Sequence, residues 1–135
     1  MYRIKAENFL LEFSLTVYED DFSYPVNTTL SVEVSSFGFA ANSFMDIGIQ
    51  GLSAFAIQLN EMYDTLTGSA ELYEPYGISF IKLSASRTGH IKIWGRINNK
   101  SAYGFEQELT FENEIDQTYL RDFAKALFND YGKTC

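Results

Sequence analysis

The sequence predicts an α+β domain: an antiparallel sheet of about six or seven strands with two helices packed on one face, in the order βββ-α-ββββ-α. Three observations carry that expectation. Several segments alternate apolar and polar residues with the period of two that a half-buried strand requires. Residues 47–68 instead place Leu52, Phe55, Ala56, Leu59, Met62, Tyr63 and Leu66 at i, i+3, i+4 and i+7 spacing, one apolar helix face, with Gln58, Glu61, Asp64 and Thr65 elsewhere around it. The pattern returns near the C-terminus, where Leu120, Phe123, Ala124, Leu127 and Tyr131 match Leu52, Phe55, Ala56, Leu59 and Tyr63 in type and spacing.

Taken in order, residues 9–18 alternate Phe9, Leu11, Phe13, Leu15 and Val17 with Leu10, Glu12, Ser14, Thr16 and Tyr18, so the odd positions face inward. Glu19, Asp20 and Asp21 open a polar connection that contains Pro25 and Asn27, a loop between strands. Residues 28–36 form a strand with Leu30, Val32 and Val34 on one face, and 37–47 a third that contributes Phe37, Phe39, Ala41 and Met45. Gly48 is placed as the N-cap of the first helix, with Ile47 packing on Leu52, and Gly68 as its left-handed C-terminal cap. Residues 70–73 make a short strand that ends in the Glu74-Pro75-Tyr76-Gly77 turn, where proline presets the backbone and glycine permits a positive φ. Residues 78–85 are apolar on both parities, which suits a central strand. Strands at 89–97 and 103–114 follow, joined by a loop at 98–102. Asp116 then caps the second helix, Ile115 packs on Leu120, and Gly132 ends it. Phe55 and Phe123 are expected deep between sheet and helices. The helical echo has two readings: a duplication of 1–68 as 69–135 within a single 1–135 domain, or convergence of two helices that cover similar sheets.

At 135 residues the chain is long enough to bury about two thirds of its unfolded surface as one domain. Its single cysteine, Cys135, is the last residue, so no intramolecular disulfide forms and a cytoplasmic home is the default. No segment approaches the roughly 20 apolar residues of a membrane span, and the N-terminus lacks a signal-like apolar run. Ten basic and 18 acidic residues give a net charge of -8, which argues against nucleic acid as a direct partner and makes a basic partner the natural complement. The same charge also serves solubility.

Catalytic signatures are missing. His90 is the only histidine, too few for a triad or a histidine metal site, and Cys135 has no motif around it. At the start of a strand, His90 reads as a sheet-edge residue. Phosphate loops, CxxC, HExxH and GxSxG are absent. The Glu19-Asp20-Asp21 run lacks the alternating carboxylates and glycine of a calcium loop and reads as solvated. The expectation is a non-enzyme with no cofactor.

The last two strands hold the most readable electrostatics. His90, Lys92, Trp94 and Arg96 share one outward face, and Glu106, Glu108, Glu112 and Glu114 share the neighbouring one. A loop at 98–102 sets Ile97 opposite Tyr103, Lys92 near Glu108 and Trp94 near Glu106. Each cross-strand pair is then worth only about 0.2–1 kcal/mol. Glu112 and Glu114 fall beyond the basic row and leave negative potential at one end of the sheet, the best candidate for a partner surface. Trp94 reads equally as an interface anchor or as a ring covered by a neighbour.

The segments LSAFAIQLNEMYDTLTG, GHIKIWG and above all LTFENEIDQTYLRDFAKAL give the chain a resemblance, over about 30–127, to the WapI-type immunity proteins. These are small bacterial cytoplasmic proteins that protect a cell from the toxin end of a large wall-associated or contact-delivered protein. The resemblance implies a toxin partner, and many such toxins are nucleases, basic where they grip phosphate. An acidic inhibitor can occupy that grip and associate quickly through electrostatic steering. Glu106, Glu108, Glu112, Glu114 and Trp94 are the expected contact residues, with Glu19, Asp20 and Asp21 second. The alternatives are an adaptor or self-associating domain using a sheet edge or the Trp94 face, and a carrier of a small apolar ligand.

Overall fold

The computed structural model describes residues 1–18 and 26–132. Its elements run β1 (Tyr2–Ala6), β2 (Phe9–Val17), β3 (Thr28–Ser36), β4 (Phe39–Ile47), α1 (Ile49–Thr65), β5 (Ser69–Tyr73), β6 (Phe80–Ala85), β7 (His90–Lys100), β8 (Glu106–Asp116) and α2 (Arg121–Leu127). A 3₁₀ turn at Gln117–Tyr119 leads into α2, and a π-helical turn at Phe128–Gly132 follows it. The α+β class is as expected, but the sheet is not one. Two four-stranded antiparallel meanders, β1-β2-β3-β4 and β5-β6-β7-β8, are each followed by a helix.

The two sheets approach each other along β3, β4, β7 and β8. There Asn99 Nδ2 donates to Ser43 Oγ at 3.1 Å and Asn113 Nδ2 to Ser36 Oγ at 2.9 Å. α1 packs on β5 and β6, α2 on β1, and the helices on each other, so they fill the space toward the other margins rather than sharing one face of one sheet. Inward residues of all eight strands and both helices form one contiguous core, from Ile4 and Phe13 through Leu30, Val32 and Ile93 to Leu127. Phe55 and Phe123 are both buried in it, as expected, and the Phe123 ring meets that of Phe13 edge-on at 5.3 Å.

Local chemistry explains where the element limits fall. Gly48 is the N-cap of α1 and has no side chain to offer, so Asn27, itself buried, accepts a bond from Ile49 N at 2.8 Å through its Oδ1. The left-handed C-cap of α1 is Leu66, with φ 55°, rather than Gly68. Asp116 does not cap α2: it accepts from Thr118 N at 2.9 Å and caps the 3₁₀ turn, and that bond holds its carboxyl below the usual range. Gly132 is buried in the π-helical turn and is not in the left-handed region. Phe37 is not in a strand. With Gly38 it forms a two-residue hairpin turn in which both residues have positive φ, 50° and 87°, the geometry that matches strand twist. Strand β1 was not expected: Tyr2, Ile4 and Ala6 alternate with Arg3 and Lys5 over five residues only, too short a run to stand out.

Candidate partner-binding surface

The outward face of the second sheet is built on strict alternation along β7 and β8. Ile91, Ile93, Gly95 and Ile97 point into the core, which leaves His90, Lys92, Trp94 and Arg96 outside. On β8, Phe111 and Ile115 are buried and Leu109 is partly buried, leaving Glu106, Glu108, Glu112 and Glu114 exposed.

The register differs from the expected one. The hairpin loop is 101–105, not 98–102: Ser101 N donates to Phe105 O at 2.8 Å, and Gly104, with φ 86°, donates to Ser101 O at 3.0 Å. The Ser101 hydroxyl also accepts from the N–H groups of Tyr103 and Phe105, both at 3.3 Å. Tyr103 and Phe105 therefore stand out in the loop, 88% and 71% exposed, instead of joining the inward face of β8. Ile97 pairs with Leu109, Lys92 with Glu114, Trp94 with Glu112 and Lys100 with Glu106.

Glu112 and Glu114 are consequently within the basic row, not beyond it. Lys92 Nζ lies 3.2 Å from Glu112 and His90 Nδ1 lies 3.3 Å from Glu114. Glu108 lies 3.4 Å from Arg96 Nε without hydrogen-bond geometry and accepts from Asn98 Nδ2 at 3.1 Å. Glu106, at the loop end of β8, is in no ion pair among the described residues. His90 begins an interior strand, flanked by β6 and β8, rather than an edge strand.

Trp94 is half-buried, and its cover is the Lys92 ammonium, 5.2 Å from the ring centroid. Toward β6 the same face continues as a basic and aromatic strip. Lys82 sits over the rings of Tyr73 and Phe80 at 5.3 and 5.4 Å, and Arg96 lies 5.6 Å from Phe80. The side-chain hydrogen bond with Tyr73, helped by the charge of Glu71, raises the Lys82 pKa. The face is thus a band of compensated charge with aromatic cover, acidic along its β8 margin. Glu19, Asp20 and Asp21, like Cys135, lie outside the described residues.

Among the described residues no three His, Cys, Asp or Glu side chains converge as a metal site, and no helix is long and apolar enough to cross a membrane. No curated protein matches the chain. Residues 3–134 match the Immunity protein WapI-like family, and the order of strands and helices runs through the whole matched span. The chain belongs to the Immunity protein WapI-like family.

Proposed function

We propose that this chain binds and neutralises a cognate bacterial toxin domain, basic and of nuclease type, in the cytoplasm of the cell that makes it, without catalysis or cofactor. The observation that carries this reading is the family match across nearly the entire chain. The net charge of -8 supports a basic partner, because opposite fields accelerate encounter and penalise wrong partners. Glu106, Glu108, Glu112 and Glu114 on β8, beside Trp94, are the proposed contacts, with Glu19, Asp20 and Asp21 as a second set. Self-association by pairing along β8, the outer strand of its sheet, is disfavoured by the same residues: an antiparallel copy would set rows of carboxylates against each other. The matching order of four strands and a helix in each half supports reading 1–68 and 69–135 as a duplication within one domain.

Association of the chain with the C-terminal domain of a wall-associated or contact-delivered protein from the same cell, followed by stopped flow at rising ionic strength, tests the electrostatic part. The rate should fall steeply with salt, and Glu112→Gln with Glu114→Gln should lower both the rate and its salt slope. An unchanged rate and slope in the double variant would remove Glu112 and Glu114 from the contact surface.

A further inference from the structure

A second exposed feature lies at the opposite end of β8 from Glu114. An open groove of ≈ 620 Å³ is enclosed by the outer face of β4, the β5–β6 loop and the loop end of the β7–β8 hairpin. Phe44, Tyr76 and Ile78 line it with 58%, 79% and 53% of their surface exposed, and none of them packs on the core. Three large apolar side chains gathered at one groove and outside the core are the kind of surface feature that marks an interaction site.

The walls are fixed before any partner arrives. Glu74 Oε2 accepts from Asp46 N at 2.9 Å and joins the β5–β6 loop to β4. The buried Ser79 hydroxyl accepts from Asn98 N at 2.9 Å and joins the same loop to β7, while Asn99 ties β7 to Ser43 of β4. The turn at Glu74 is closed by Gly77 N donating to Glu74 O at 3.3 Å. A groove whose three walls are cross-linked loses little entropy on binding.

Its charge decides the occupant. Asp46, Glu74 and Glu106 line the groove against Lys100 alone, and none of the four is in an ion pair among the described residues. This contrasts with Glu108, Glu112 and Glu114, which already face Arg96, Lys92 and His90. Uncompensated carboxylates beside exposed rings fit an arginine or lysine side chain flanked by apolar residues, since a guanidinium both pairs with carboxylate and stacks on aromatic faces. We infer that this groove receives a cationic segment of the toxin and is the anchoring part of the interface, the β8 row serving mainly as its margin. The inference rests on the toxin-binding reading.

The test uses the C-terminal domain of a wall-associated or contact-delivered protein from the same cell, titrated calorimetrically into wild-type chain, the Tyr76→Ala/Ile78→Ser variant, Glu106→Lys and Glu112→Gln/Glu114→Gln. Because all the altered side chains are exposed, thermal melting should coincide with wild type. The expected result is a Kd at least tenfold weaker for the first two variants and a smaller change for the third. Wild-type binding retained within twofold by both groove variants would overturn the groove while leaving the toxin reading in place. No binding by wild type would overturn both. A wild-type dimer in sedimentation that the Tyr76→Ala/Ile78→Ser variant dissociates would assign the groove to a second copy and also overturn the inference.

Discussion

Phe123→Ala and Phe55→Ala are each expected to lower folding stability by about 3–5 kcal/mol, read from urea midpoints at an unchanged m-value. Both rings are buried at the centre of their helices' inward faces. Truncation removes the transfer free energy of the ring and leaves a cavity between rigid elements, because each helix is held by more than its aromatic. α1 is tied to β5 by Gln58 Oε1, which accepts from Glu71 N at 3.0 Å, and to α2 by Lys125, whose ammonium donates to Asn60 and Asp64 at 2.7 Å. Those contacts limit collapse into the void. Phe123 also loses its edge-on contact with Phe13, so its cost should be at the upper end. With domain stabilities of about 5–15 kcal/mol, either variant would stand near the threshold of folding. A loss below about 1 kcal/mol would show that the helices do not bury these faces.

Gly95→Ala is expected to cost about 2–3 kcal/mol, a large effect for one methyl group. Gly95 is on the inward face of β7, paired with Ile81 and Phe111. A Cβ there would stand 2.5 Å from the backbone oxygen of Phe80 and 2.9 Å from the Phe111 ring. The ring could swing away only by disturbing Phe9, whose centroid is 6.1 Å from it, and the carbonyl cannot move without opening the β6–β7 pairing. Glycine is thus required by close backbone approach rather than by φ. Denaturation that leaves the variant within about 0.5 kcal/mol of wild type would mean that Phe111 does not lie across β7.

The helix faces were readable because period 3.6 over α1 is long and unambiguous, and the burial of Leu52, Phe55, Ala56, Leu59 and Met62 follows it. Strands β2 and β3 were readable for the matching reason at period two. The division into two sheets was not, since a strand shows one apolar face whether its neighbour continues the sheet or begins another. Phe37 misled because an exposed aromatic in a left-handed turn contradicts turn propensity. The β7–β8 register misled because Asn98 and Asn99 look like turn residues while Tyr103 and Phe105 look like strand; the turn chemistry is in Ser101 and Gly104. The slip between expected and found pairing is even, so inward and outward faces of β8 were still assigned correctly, while the expected neighbours Lys92 and Glu108, and Trp94 and Glu106, were not. The groove at Phe44, Tyr76 and Ile78 joins three elements distant in the chain, and no local pattern announces it.

The proposed toxin neutralisation is tested most directly by titrating the toxic activity of a purified candidate toxin domain, nucleic-acid cleavage if the partner is of the proposed nuclease type, with this chain. The expected result is linear loss of activity that ends at one equivalent, relieved by high salt. Full activity at several-fold excess of chain, with toxin shown to be folded, would contradict it.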